Sequence, residues 1–331
     1  MTDPHSARSP SRAGVLAAFG AVYVIWGSTY LAIRFGIETL PPFLMVGARY
    51  LGAGVLMYAW ARARGTSRPT PRNWAAAAVI GGLMLLGGNG LVTWSEKTVP
   101  SGLAALLVAT VPLWMVLLDW ARPRGERPAA RVFVALALGL AGIAILLGPG
   151  ELLGARDLPW AGALAVVLAS FSWAAGSLYS RAAPLPSEPM LATGMEMLAG
   201  GALATLVGLA LGEGARFDAA AISTRSALAL GYLIVFGSLV AFTAYVWLLR
   251  VTTPARVATY AYVNPLVAVL LGWALAGEPL GPRTVLAAAV IIAAVVLITT
   301  AQAVRARPPV AEVEPQPETE RERPRLLRKT S

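Results

Sequence analysis

WGSTYLAIRFGIETLPPFLMVGARYLGAG at residues 26–54 aligns without a gap on WAAGSLYSRAAPLPSEPMLATGMEMLAGG at residues 173–201. At this shift of 147 positions Trp26 falls on Trp173, Leu31 on Leu178, Arg34 on Arg181, Pro42 on Pro189, Leu51 on Leu198 and Gly54 on Gly201. Further along, a shift of 153 places Trp94 on Trp247, Lys97 on Arg250, Pro112 on Pro265, Leu113 on Leu266 and Trp120 on Trp273. Chance supplies alanine and leucine matches in an apolar chain. It rarely supplies colinear tryptophan and proline pairs, so the chain is read as an internal duplication.

What is duplicated belongs in a bilayer. The 331 residues are 57% hydrophobic and 13% charged, with a mean hydropathy of +0.65. A water-soluble domain runs at about 45–50% apolar and about 25% charged. Charge-free apolar runs cover 13–33, 73–95, 98–118, 132–150, 158–180, 226–249, 257–277 and 284–304. Two more, 41–61 and 189–212, are each interrupted by one charge, Arg49 and Glu196. Each run is near the roughly 20 residues that a spanning helix needs. The first is too long for a signal-peptide apolar region and reads as a span. The expected fold is an all-α polytopic membrane protein with ten transmembrane helices. Five helices per repeat is an odd number, so the second copy enters the membrane from the opposite side as an inverted repeat. The first repeat is assigned to 13–150 and the second to 157–304. A polar stub, 1–12, and a tail, 305–331, are expected to be disordered, because the tail is rich in proline and in both charge signs.

The net charge of +10 suggests nucleic acid only if its distribution is ignored. Fifteen basic residues lie on the side of the stub and the alternate loops, and six on the other side. That bias places both termini in the cytoplasm. Of the 27 basic residues only Lys97 and Lys329 are lysine, a usage that with the abundant alanine and glycine suggests a G+C-rich bacterial genome and hence an inner membrane. There is no cysteine, and the one histidine is His5 in the stub. Thiolate metal sites, disulfides, cysteine nucleophiles and an intramembrane histidine base are thereby excluded. With a single clear carboxylate inside the spans, a two-carboxylate dyad is unavailable, which argues against an intramembrane enzyme. No phosphate-loop lysine accompanies the glycine-rich stretches, so direct ATP drive is not encoded here. No metal or cofactor is expected.

The stretches YVIWGSTYLAIRFGIETLPPFLMVGARYL, GNGLVTWSEKTVPSGLAALLVATVPLW and ARVATYAYVNPLVAVLLGWALAGEPL resemble the EamA-type permeases of the drug/metabolite transporter superfamily, nearest to the YedA-like branch. The resemblance runs over residues 13–303. It implies two EamA repeats, ten helices and export of small metabolites or amphipathic compounds. It further implies a central cavity lined mainly by helices 1, 3, 4, 6, 8 and 9, with helices 2 and 7 behind them.

Several side chains are candidates for that cavity. Trp26, Tyr30 and Arg34 follow at steps of four and share a helix face, with Thr29 on the adjoining edge. An indole, a phenol and a hydroxyl on one stripe suit an organic solute. The competing reading has Trp26 packing against other helices and Arg34 snorkelling to the surface. Trp173 is the mate of Trp26. Asn89, within GGNG of helix 3, and Asn264, one residue before Pro265 in helix 9, either bond to neighbouring helices or to cargo. Tyr260 lies one turn before Asn264 on the same face, whereas Tyr262 points elsewhere and reads as packing. Pro112 and Pro265 are matched prolines expected to kink helices 4 and 9 in their interiors, a sign of a gate near the midplane. Arg49 and Glu196 are matched buried charges of opposite sign. They invite a pair across the pseudo-two-fold axis, serving either structure or proton coupling. Ala135 and Gly139 on helix 5 suit helix contacts or a homodimer. The reading that follows is an inner-membrane secondary transporter exporting amino acids or other small organic solutes by alternating access. Multidrug efflux is the alternative cargo, and a channel is the alternative mechanism.

Overall fold

The computed structural model describes residues 11–99, 104, 107–122, 127–147, 160–276 and 281–303, and every regular element among them is helical. The expectations of disorder for the stub and tail fall mostly or wholly outside these residues. In chain order the long helices are α1 (Arg12–Gly36), α2 (Pro42–Ala63), α3 (Pro71–Ser95), α4 (Val111–Trp120) and α5 (Ala130–Leu147). The second set is α6 (Trp160–Ser180), α7 (Pro189–Ala210), α8 (Thr224–Val251), α9 (Tyr260–Ala276) and α10 (Pro282–Ala303). Six of them, α1 to α3 and α6 to α8, are individually long and apolar enough to cross a membrane.

The punctuation between helices repeats as faithfully as the tryptophans do. Pro42 and Pro189 open α2 and α7 at the helix start, where a missing N–H costs nothing. Thr70 and Ser223 cap α3 and α8, their hydroxyls accepting from the Asn73 and Ser226 amides at 3.2 and 3.1 Å. Gly65 and Gly212 follow the ends of α2 and α7 at φ +81° and +74°, a left-handed turn that a side chain resists.

The helix contacts occur in pairs that exchange when the repeats are exchanged. α1 packs on α8 and α9, and α6 on the equivalent α3 and α4. α2 touches α8 as α7 touches α3, while α2 packs on α7 and α5 on α10 across the presumed axis. The α2–α7 contact shows the symmetry in detail. A Cβ on Gly54 would lie 2.8 Å from the Leu198 amide nitrogen, and one on its mate Gly201 would lie 2.8 Å from the Leu51 amide nitrogen. Leu51 and Leu198 are themselves mates. Small residues of this kind let helices meet backbone to backbone where no hydrophobic force drives them together. Outward-facing leucines and valines such as Leu16, Leu31, Leu164, Leu206 and Leu286 are exposed, as lipid-facing residues must be, and Trp60, Trp120 and Trp160 stand at helix ends.

Two features differ from the expectation. The break in the fourth span falls at Ala109–Thr110, so Pro112 sits in the first turn of α4, not in a helix interior. Its ring and missing N–H suit that first turn. Pro265 does lie inside α9. Second, α3 and α8 each widen for ten residues into a π-helix, at Gly81–Gly90 and Leu233–Phe242. These segments are offset by 152 positions, one short of the repeat register.

Candidate functional site

The two repeat-related tryptophans meet near the centre of the bundle. Trp26 of α1 and Trp173 of α6 lie edge to face, ring centroids 5.5 Å apart and planes at 81°. Tyr245 of α8 fits against both, at 4.9 and 5.4 Å, and Tyr260 of α9 stands edge-on to Trp26 at 4.9 Å. Such pairs contribute about 0.5–1.5 kcal/mol beyond their area burial. The polar ends of three of these rings are also satisfied. The Trp26 Nε1 donates to the Gly237 carbonyl in the π-helical part of α8 (3.1 Å), and the Trp173 Nε1 donates to the Tyr245 hydroxyl (2.9 Å). That hydroxyl is shared with Ser177 at 2.7 Å.

Beside the aromatic cluster lies Arg49 of α2, 2% exposed. Its Nε donates to the Ser238 hydroxyl (2.8 Å), and an Nη donates to the Asn89 side-chain carbonyl (3.4 Å). Ser238 and Asn89 come from the two π-helical segments, so one guanidinium bridges both. Its carbon lies 4.8 Å from the centroid of the Tyr50 ring.

Trp26, Trp173, Tyr260, Arg49, Tyr50 and Asn89 border a cavity of about 70 Å³, room for several waters. Seven of the side chains singled out as cavity candidates border it: Trp26, Thr29, Tyr30, Asn89, Trp173, Tyr260 and Asn264. They come from α1, α3, α6 and α9, so both repeats contribute. Thr29 donates to the Trp26 carbonyl at 2.8 Å, and Ser170, also at the wall, to the Val166 carbonyl at 2.9 Å. With its amide nitrogen turned toward them, Asn264 donates to the carbonyls of Tyr260 (3.0 Å) and Tyr23 (3.3 Å). Its helix-joining role therefore coexists with its place in the wall.

The other candidates part company. Arg34 is exposed, and neither Pro112 nor Pro265 borders the cavity. Tyr262 packs its ring over Gly139, which places that small residue in an α5–α9 contact. Glu196 is 0% exposed with no hydrogen-bond partner on either carboxylate oxygen. The suggested Arg49–Glu196 pair does not form. Positions 49 and 196 lie two residues past Gly47 and Gly194, about 200° around their helices. Both therefore turn away from the α2–α7 contact, Arg49 toward α8 and Glu196, by symmetry, toward α3. The position equivalent to Ser238 is Leu85 there, which offers no hydrogen bond.

Sequence reasoning missed Arg49 and Tyr50 as cavity residues, because helix 2 was expected to stand behind the lining. It also missed Tyr245, which holds the two tryptophan rings without bordering the cavity and is hidden in an unbroken apolar run.

Comparison with known proteins gives a consistent result. The profile of the EamA-like transporter family matches residues 12–148 and again 160–300. The inner membrane transporter YedA of Escherichia coli K12 is 44% identical over 301 residues, covering 90% of this chain and 95% of that protein. A transporter of Archaeoglobus fulgidus is 26% identical, covering 84% and 95%. A crystal structure that is 22% identical superposes with a TM-score of 0.69 over 89% of this chain and all of that one, a likeness of fold.

Proposed function

Since the chain belongs to the EamA-like transporter family, and is thus a multi-pass membrane transporter, we propose that it exports small organic solutes through the central cavity by alternating access. The observation that carries this reading is the meeting of Trp26 and Trp173. Mates from the two repeats form opposite sides of one small site, and the helix contacts around them exchange in pairs. A site built on such an axis can open to either side by equivalent rearrangements of the two halves. A cavity of about 70 Å³ is too small for a whole metabolite, so loading requires the walls to part. Trp26, Tyr30, Trp173 and Tyr260 supply apolar faces for the solute, while Thr29, Asn89 and Asn264 supply polar contacts. The arginine bias supports cytoplasmic termini, which reporter fusions at either end would test.

Glu196 fits the role of proton carrier. A carboxyl buried without a hydrogen-bond partner exchanges its proton only when its surroundings open to water, and this links proton movement to the change of access. Multidrug efflux is the second reading, favoured by the aromatic walls, which accept many apolar bodies. Counterflow in proteoliposomes tests the carrier. Preloaded solute is expected to drive transient accumulation of labelled solute, while linear, unsaturable flux marks a channel. A Glu196→Gln variant should keep counterflow and lose acceleration by a pH gradient. Gradient-dependent transport at the wild-type rate in that variant removes Glu196 from the coupling.

A further inference from the structure

The cavity wall carries one formal charge among the described residues, and that charge is positive. Arg49 is held there by two neutral groups, the Ser238 hydroxyl and the Asn89 amide. Neither the Arg122–Asp119 nor the Arg225–Glu38 ion pair involves it. Glu96, beyond the end of α3 and outside the cavity wall, interacts electrostatically with Tyr30 at the cavity edge and with Arg34. Glu196 does not border the cavity.

An isolated cation in a span costs about 2.5–3.5 kcal/mol on translocon scales, and buried arginines at membrane depth mark sites. Arginine has five N–H donors in a planar fork, of which two are used here. The three that remain, on Nη1 and Nη2, have the geometry to take a carboxylate in a bidentate pair, the strong form of charge-assisted hydrogen bond. The ring faces of Trp26, Trp173 and Tyr260 lie beside it. Aromatic walls alone would also hold an organic cation, but a fixed guanidinium among them repels one.

We propose that Arg49 is the anion-binding residue of the central cavity, and that the cargo is a small organic anion, a carboxylate on an apolar or aromatic body. This rests on the transport reading above and gives it a substrate class. It also argues against cationic drugs as the cargo.

The test uses matched probes on the purified full-length protein: 3-phenylpropionate, its amide and 3-phenylpropylamine, and 4-methylpentanoate, its amide and isoamylamine. Ligand-induced thermal shift and titration give relative affinities. In at least one set the acid should bind on the order of tenfold or more tighter than its amide and amine, as a charge-assisted pair implies. Arg49→Gln should erase that preference and Arg49→Lys should restore part of it. The wild-type ranking stands even if Arg49→Gln fails to fold. Amides or amines binding as tightly as the acids in both sets, or an acid preference that survives Arg49→Gln, overturns the proposal. Counterflow of labelled 3-phenylpropionate separates the two readings. Acid preference without counterflow supports the site and counts against the carrier; counterflow without acid preference keeps the carrier and overturns the site.

Discussion

Arg49 and Glu196 occupy the same position in the two repeats and meet different neighbours. Arg49 found a hydroxyl and an amide on the facing helices, whereas the carboxylate of Glu196 found no hydrogen-bond partner. The tryptophan mates converge instead, and a double-mutant cycle measures what that contact contributes. Trp26→Leu and Trp173→Leu should each lower stability, with a coupling energy of about 0.5–1.5 kcal/mol between them in thermal or denaturant unfolding. Additive losses would show that the rings merely sit near one another. Another residue gives a pH prediction. Glu96, one position past α3, is pushed up to about 8 by burial, an effect partly opposed by the Arg34 guanidinium. Between about 4.5 and 8 the folded protein therefore holds a proton that the unfolded chain has lost. Stability should fall as pH rises through that window and level off above it, and Glu96→Gln should flatten that part of the profile. A wild-type stability that rises across the window contradicts this.

At the scale of elements, the decisive features are small residues and irregular turns. Gly54 and Gly201 admit the backbone of the opposite helix, with no space for a methyl group. Gly54→Ala and Gly201→Ala should each destabilise by about 1–3 kcal/mol through overpacking. Gly231, within α8 and with nothing within 4 Å of its would-be Cβ, is the control. Its replacement by alanine should be neutral or stabilising by up to about 1 kcal/mol, as helix propensity dictates. The π-helical segments of α3 and α8 hold Asn89, Gly237 and Ser238 against α1 and α2. Widened turns have weaker backbone bonding and recur at functional sites. Amide exchange in 81–90 and 233–242 should therefore slow when a ligand fills the cavity, more than in α5 or α10. Unchanged protection in both segments would separate them from the site. The spans themselves were legible in the sequence, since a charge-free run of spanning length is rare outside a bilayer. The π-helices were not, because an apolar run looks the same whether its turns are regular or widened. The start of α4 was misjudged for a related reason: Pro112 shows that a helix is interrupted but not on which side of the proline the interruption falls.

For the molecule as a whole, the duplication carries most of the architecture. The shifts of 147 and 153 residues predicted two matched halves, and the matched caps, left-handed glycines and glycine contacts show how deeply the match extends. The cavity was legible to the extent that its residues were conspicuous. Tryptophan, tyrosine and asparagine inside spans drew attention, and the fold gathers Trp26, Thr29, Tyr30, Asn89, Trp173, Tyr260 and Asn264 around one space. Arg49 was noticed for its charge and misread in its direction, because periodicity around a helix does not say which neighbour each face meets. The central claim is that this space opens to each side of the membrane in turn. The chain has no cysteine, so a single one can be placed in the cavity wall by Thr29→Cys or Ser170→Cys without background. A membrane-impermeant maleimide added to oriented vesicles from either face should label both positions, with rates that a reversed gradient shifts in opposite directions. Labelling from one face alone under every gradient would contradict the account.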